Sequence, residues 1–426
     1  MNNNRPEMAL EWAANWKAVL ASAIGICFTI LHFYTLGVFL GPLVAKYGWT
    51  KSDITIAPTI SSVLYFFVAA RIGRFASKVG ARRIAIPGFV AYCCGLAMLG
   101  FAGPSLWTWY ALWFLLAIAQ PFANNNIWCL AVANRFSRSR GLALAVALCG
   151  TGVASAIAPY ATSVAIARYG WANAYHLLGL TALVIGLPLI YWLMPRGAPV
   201  AAVQAIAASA DSTTDLPGYT FREALRTRPF WILVFAAAVL GYGMPTLMLH
   251  FVSIGTGNHI PPRDAAAAAG LIGVAAIVGR LTAGVLLDTL PGRFVAAVMF
   301  AFPAVASIVL LNVHGSIVTL SIAAGVIGLC TGAEFDVLAV LVSRYMGMRE
   351  FAAINGQVAS VFGLGVGFGP ALSSMVYDHF GSYTQLLSGL AIVFLLPASA
   401  VLFLGAAKFH GTPADDPAMA LDEPEL

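Results

Sequence analysis

The chain has 426 residues, 60% of them hydrophobic and only 9% charged, against about 25% charged in an ordinary soluble domain. So few charges cannot cover so large an apolar core in water, so the solvent must be lipid. The net charge of +6 does not indicate nucleic acid, because the basic residues are scattered between apolar runs and form no basic face.

The amino-terminal segment, 1–17, is acidic as well as basic, and the apolar run after Lys17 is about 28 residues long. That is too long for a signal core of roughly 7–15 residues, so 1–17 reads as a cytoplasmic segment rather than a cleaved leader. Twelve runs follow that can cross about 30 Å of hydrocarbon as helices. Their limits are about 18–45, 53–75, 82–102, 107–134, 140–167, 173–193, 229–254, 265–287, 293–311, 316–345, 351–376 and 384–407. A β-barrel is excluded, since its strands read as alternating segments of roughly ten residues. Segment 195–228 is rich in Ala, Ser, Thr and Asp and ends in the amphipathic stretch Phe221 to Arg226. It reads as a cytoplasmic linker between six-helix bundles at 18–194 and 229–407. The tail, 408–426, acidic and Pro-rich from Thr412, reads as disordered. The six cysteines all fall inside apolar runs, which points to no structural disulfide and no metal site.

Orientation follows from Lys and Arg. With an even number of crossings both termini share one side. Placing them in the cytoplasm leaves Lys46, Lys51, Arg168 and Arg263 outside and Arg280 in a helix interior, with 18 of the 23 basic residues inside. The expected location is the inner (plasma) membrane, multi-pass.

The halves repeat. At an offset of 211, Asp53 falls on Asp264, Gly73 on Gly284, Arg82 on Arg293, Gly152 on Gly363, Pro159 on Pro370 and Gly170 on Gly381. Arg135 and Arg344 differ by 209, a two-residue shift around the fourth crossing. The loop Gly73-Arg-Phe-Ala-Ser-Lys-Val-Gly80-Ala-Arg82-Arg83 resembles the Gly-x-x-x-Asp-Arg-x-Gly-Arg-Arg signature of the major facilitator superfamily, with Ser77 where that family has Asp. Its second copy, Gly284-Val-Leu-Leu-Asp288, keeps the acid. The resemblance implies an all-α membrane protein of twelve transmembrane helices in two pseudo-symmetric six-helix bundles, with substrate near the midplane between them. Gly73, Arg82, Gly284, Asp288 and Arg344 are expected to form a cytoplasmic gate, the glycines letting helix ends approach and Asp288 capping a helix or pairing with Arg344.

A narrower resemblance covers most of the chain. Phe33-Tyr-Thr-Leu-Gly-Val-Phe-Leu-Gly-Pro-Leu, Tyr47-Gly-Trp-Thr-Lys-Ser-Asp53, Arg140-Gly-Leu-Ala-Leu-Ala and Gly328-Leu-Cys-Thr-Gly-Ala-Glu334-Phe-Asp336 are similar to the monocarboxylate porter and oxalate/formate exchanger branch. In that branch an Arg in the eighth helix, shortly before a Gly, holds the substrate carboxylate. Arg280-Leu-Thr-Ala-Gly284 matches. Eukaryotic members carry an Asp one turn earlier, where this chain has Ala276, so the proton partner must sit elsewhere.

The residues themselves point the same way. Ionisable groups deep in a span are expensive and usually functional, and here they are Arg280, Glu334 and Asp336, with His32 and His250 beside them. Arg280 lies eight residues before Asp288, about 12 Å from the helix end. It is either a structural Arg snorkelling to the headgroups or an anion clamp, for which its planar fork suits carboxylates. Glu334 and Asp336 stand about 200° apart on a helix, so only one can face a shared cavity. The 209 offset sets Glu334 opposite Asn125, within Asn124-Asn125-Asn126. These amides need partners, either a neighbouring helix or the cavity. His250 falls on Phe39 at 211, and His32 lies seven residues before Phe39, so both histidines are expected to face the cavity, with Phe39, Tyr34, Tyr65 and Phe362 as aromatic walls.

No Gly-x-x-x-x-Gly-Lys-Ser/Thr, His-Glu-x-x-His or Gly-x-Ser-x-Gly occurs, so neither nucleotide nor cofactor nor enzyme chemistry is expected. The expectation is a secondary transporter of a small organic carboxylate, aromatic acids included, coupled to protons. Arg280, His250, His32, Asn124, Asn125, Phe39 and Tyr65 contact substrate, and Glu334 or Asp336 carries the proton. The rivals are an anion exchanger and proton-driven drug efflux. The latter is disfavoured because the fifth helix, Gly150 to Pro159, lacks a Gly-Pro-x-x-Gly-Gly ending.

Overall fold

Hydrocarbon offers no partner to a backbone N–H or C=O, so an apolar chain must fold as helices or a closed barrel. The computed structural model describes residues 5–136, 139–195, 217–405 and 409, and these are overwhelmingly helical. The isolated bridge from Gly218 to Gly347 is their one sheet-like pairing.

The first crossing is a broken helix, α1 (Arg5–Thr29) and α2 (Leu31–Tyr47), interrupted at Ile30. Helix thus begins well inside the segment expected to precede the membrane. Glu11 accepts from the Ser139 amide at 3.0 Å and its hydroxyl at 2.7 Å, which ties α1 to the start of a later helix. Next come α3 (Lys51–Val79) and α4 (Ala81–Met98). The fourth crossing, expected over 107–134, is not one continuous helix. Instead it is α5 (Leu106–Ala119), a 3-10 turn at Gln120–Phe122 and α6 (Asn125–Ala133). Pro121 removes a helical N–H there, and Asn124 restarts the helix by accepting from the Asn126 amide at 3.1 Å.

The helix α7 (Arg140–Thr181) holds one crossing and starts the next, divided at Gly170, whose φ of 79° suits only glycine comfortably. A π turn and α8 (Leu187–Leu193) complete the sixth. The second half comprises α9 (Phe221–Ala224), α10 (Arg228–Gly257), α11 (Pro262–Thr289), α12 (Gly292–Leu311), α13 (Ile317–Met346), α14 (Phe351–Phe380), α15 (Thr384–Val393) and α16 (Leu395–Leu402), the last two forming one crossing. Among the described residues, ten helical segments are long and apolar enough to cross a membrane. One of these, Arg140–Leu193, contains two crossings around Gly170, and α3 brings the number to twelve.

The repeat reaches the backbone. Gly170 and Gly381, partners at the 211 offset, both have positive φ, 79° and 66°. Each half has its own apolar core, one running from Val19 to Met194 and the other from Ala224 to Leu404; Leu249 and Val38 are exchanged between them. Linker residues 196–216 and tail residues 410–426 lie outside the described residues. The described end of the linker is anchored. Thr220 and Glu223 form a reciprocal cap, and the Phe221 amide donates to Glu350 at 2.7 Å. The Thr220 bonds hold the Glu223 carboxyl below its ordinary range.

The halves meet along α3 against α14, α7 against α11 and α2 against α10. A Cβ on Gly152, Gly270, Gly273 or Gly367 would collide with the opposite half. Ser62, which packs on Gly367, corresponds to Gly273 at the repeat offset, so the same register serves both seams. The bonds that join the halves gather at the end away from the chain termini. Thr55 donates to Ser374 at 2.9 Å and Thr59 to the Gly367 carbonyl at 2.6 Å. The Lys51 and Ser52 amides donate to Asp378 at 3.3 and 2.9 Å, so a carboxylate of α14 caps the start of α3.

Candidate functional site

Below that seal lies a cavity of about 270 Å³ between the halves. It forms where helices are interrupted. Thr29, His32 and Tyr34 flank the break at Ile30, Gln120, Asn124 and Asn125 flank the break before α6, and Pro245 sits in α10. Irregular backbone at membrane depth is tolerated only where it is buried in protein or lines such a space. Met248, Thr331, Glu334 and Phe362 close the other wall.

Of the expected substrate contacts, His32, Asn124 and Asn125 line this cavity, and Arg280 is not among its lining residues. His32 is held by two groups. Its Nδ1 meets the Tyr92 hydroxyl at 2.8 Å, and its Nε2 meets the Gln120 amide. Phe39 does not line it. It is fully buried in the first-half core, stacked on Tyr175 at 3.7 Å. Tyr65 is also absent from its lining and accepts from Asn126 at 3.1 Å. His250 is fully buried in the seal, with Nδ1 3.1 Å from the Tyr383 hydroxyl and Nε2 3.3 Å from Ser374. His32 and Phe39 do share a face of α2, but that face packs on the first half, His32 against Tyr92 and Trp113 and Phe39 against Tyr175, and only the His32 end reaches the cavity; the backbone of α2 packs against α10. A Cβ on Gly37 would strike the Leu249 carbonyl.

The two acidic residues of α13 separate as their spacing requires. Glu334 lines the cavity and is 5% exposed, with the Cys330 thiol 4.0 Å from its carboxylate. Asp336 turns to α11 and accepts from Arg280 Nε at 3.0 Å. This pairing is set by helix packing. α11 and α13 run parallel, and Gly328 abuts the Ile272 carbonyl while Gly332 abuts Ala276. Both pairs differ by 56 positions, and so do Arg280 and Asp336, one turn further on. The carboxylate missing at Ala276 therefore arrives from the neighbouring helix. Arg280 makes this one bond through Nε, and its two Nη nitrogens donate to no described residue. The Arg280 and Asp336 side chains are 21% and 45% exposed.

The expected gate residues are placed unevenly. Arg344 donates to the Leu287 carbonyl at 2.6 Å and so caps the end of α11 beside Asp288. Arg82 donates to the Tyr191 carbonyl at 3.0 Å and covers the Tyr191 ring, which anchors it within its own half. Gly284 is not a close-approach glycine, since a Cβ there would meet nothing within 4 Å. The surroundings of Gly73 and the side chain of Asp288 lie outside the described residues.

Sequence reasoning passed over the groups of the seal. Lys51 donates to the Tyr383 hydroxyl at 2.8 Å and lies 3.4 Å from the centre of the Tyr377 ring. Arg263, near the equivalent position of the second half, donates to Tyr160 of the first at 3.2 and 2.7 Å. The signal was present: each cation stands at the start of the second helix of its half, at the end away from the chain termini. Gln120 was missed as well, although an amide directly before Pro121 in an apolar run marks a helix break.

A family model described as the Major Facilitator Superfamily matches residues 22–313. The chain is 24% identical over 463 residues to a gallate transporter of Pseudomonas putida, covering 97% of this chain and 96% of that protein. It is 28% identical to monocarboxylate transporter 13 of Bos taurus, covering 91% and 88%. Its fold resembles the crystal structure of a bacterial homolog of the human lysosomal transporter Spinster in an inward-facing, unoccupied conformation. The TM-score is 0.64 at 14% identity, covering 91% of this chain and 94% of that one. A twofold-repeated bundle of twelve crossings around a central cavity, together with a family match over most of its length, makes this chain a member of the Major Facilitator Superfamily.

Proposed function

We propose that the chain is a secondary active transporter that takes up a small organic carboxylate, aromatic monocarboxylates included, together with a proton by alternating access. Two bundles, 18–194 and 229–407, rock about the cavity, with linker 195–228, tail and amino terminus in the cytoplasm of a cell with the chain in its plasma membrane. The gallate and monocarboxylate transporters among its relatives support the substrate class. The observation that carries the reading is the state of Arg280. Asp336 holds its Nε and leaves the paired Nη donors for an incoming carboxylate, the geometry in which guanidinium binds such groups. Glu334, on the cavity wall, is the proton carrier.

Proton symport is favoured over obligatory exchange by the same pair. On this reading the empty carrier need not wait for an anion to neutralise Arg280, since Asp336 already pairs with it when no substrate is bound. An exchanger would need an anion there on every passage. Reconstituted protein should accumulate a carboxylate under an inward proton gradient with no anion inside the vesicle. Uptake that appears only when the vesicles are preloaded with anion would establish exchange instead. No uptake or counterflow of any aliphatic or aromatic carboxylate would remove the substrate class.

A further inference from the structure

Beside the central cavity lies a smaller one of about 90 Å³. The two share His32, Phe33, Gln120 and Val366 as lining, so they are neighbours with a common wall. Ser61 of α3 and Trp113 of α5 line the smaller space. Both are at least nine-tenths buried, at 4% and 1% exposure, and neither Ser61 Oγ nor Trp113 Nε1 has a hydrogen-bond partner.

Thr162 Oγ1, Tyr175 Oη and Arg293 Nε also lack a partner, but none of those three residues lines this cavity, and most other buried donors are paired. Thr29, Thr35, Thr246, Ser307, Ser373 and Ser374 are buried hydroxyls on membrane helices, and each donates to the carbonyl four residues back. The indoles of Trp49, Trp109, Trp128 and Trp231 each donate to a carbonyl. A buried donor left without a partner is destabilising, and two on one small cavity call for an occupant that accepts hydrogen bonds.

We infer that this side cavity is a second recognition subsite, which takes an uncharged oxygen function, a hydroxyl or a carbonyl, carried by the transported carboxylate. The indole N–H can only donate, so the group before it must be an acceptor, which excludes an ammonium. Ser61 can donate or accept, so a substrate hydroxyl would accept from Trp113 and exchange a bond with Ser61. The cavity is large enough for several waters and therefore for one such substituent. Met248 and Phe362 would cover the apolar body in the larger cavity. The inference rests on the reading of the chain as a carboxylate transporter and narrows it to oxygenated carboxylates.

The test is uptake of two matched pairs, 4-hydroxybenzoate against benzoate and lactate against propionate, by the full chain in proteoliposomes. Wild type should favour the hydroxylated member of at least one pair by about tenfold or more, because a site built around polar donors rejects an analogue that leaves them unpaired. Ser61→Ala should shrink that ratio about five- to tenfold, by slowing the hydroxylated member alone. Trp113→Phe should act in the same direction. The within-pair ratio cancels any loss of folded protein, and Ser61→Ala decides the matter if Trp113→Phe does not reach the membrane. No preference in wild type, or a preference unchanged in Ser61→Ala, overturns the subsite and leaves the cavity to water. If wild type moves no carboxylate at all, the transporter reading itself fails, and the inference falls with it.

Discussion

Arg280 and Asp336 are bonded at 3.0 Å across two parallel helices, the third rung of a ladder whose first two are Gly328 against the Ile272 carbonyl and Gly332 against the Ala276 carbonyl. The close approach of Gly332 to Ala276 brings the helix axes near enough for the pair to meet one turn later. Asp336 therefore serves two purposes. It neutralises a cation that would be costly in a span, and by holding Nε it leaves the two Nη nitrogens without a partner among the described residues.

Replacing Arg280 by Lys should abolish most uptake while expression is retained, since Lys keeps the charge and loses the fork. Arg280→Ala strands Asp336 as well. The loss of stability should be smaller than the roughly 3–5 kcal/mol of a fully buried pair, because Asp336 is 45% exposed. The double variant Arg280→Ala with Asp336→Ala should recover expression but not transport. Wild-type uptake rates in Arg280→Ala would take Arg280 out of the site.

Glu334→Gln should lose accumulation driven by a pH gradient and keep downhill exchange, as it removes a titrating group from the cavity wall and leaves the Arg280 pair intact. Asp336→Asn should instead weaken substrate binding, because its effect passes through Arg280. The two are told apart by counterflow assays with and without an imposed gradient. If Glu334→Gln still concentrates substrate, the proton travels by another route.

The seal should be loosened by Asp378→Asn, which removes the charge capping α3, and further by Lys51→Ala combined with Arg263→Ala. In a cysteine-free background, Thr59→Cys should react several-fold faster with an impermeant maleimide from the side opposite the termini. An unchanged rate would mean that the seal is held by helix packing at Gly152, Gly273 and Gly367 alone.

Two glycines of similar appearance should differ. Gly332→Ala drives a methyl into the Ala276 carbonyl and should lower the melting temperature by several degrees, consistent with about 1–3 kcal/mol for overpacking. Gly284→Ala meets nothing within 4 Å and should be neutral or stabilising by roughly 0.5–1 kcal/mol of helix propensity. Equal melting temperatures for the two variants would contradict the ladder.

Asp288→Asn should slow turnover more than it weakens equilibrium binding, given that Arg344 beside it caps the end of α11. Reduced affinity with an unchanged exchange rate would assign Asp288 to the substrate instead.

Hydropathy, helix length and the repeat are properties of local stretches of chain, and they were readable without coordinates. They were enough for the lipid setting, the twelve crossings, the two halves in one register, and the short list of ionisable groups at membrane depth. The angle between Glu334 and Asp336 was readable too, because 100° per residue is intrinsic to the helix. What stayed hidden was rotation and phase. A helix's period says which residues share a face, and only the neighbours decide what that face meets. The packing of Gly328 and Gly332 against α11 turned Asp336 toward Arg280 and left Glu334 on the cavity. His32 and Phe39 share a face of α2, yet only His32 reaches the cavity, while Phe39 is stacked on Tyr175 in a core. The break at Pro121 turned a run of three asparagines into a helix cap and cavity wall. His250 lies in the seal because Tyr383 and Ser374, more than a hundred residues away in sequence, close around it. Those contacts join segments whose separation in the chain carries no periodic signal, so only the folded packing could assign them.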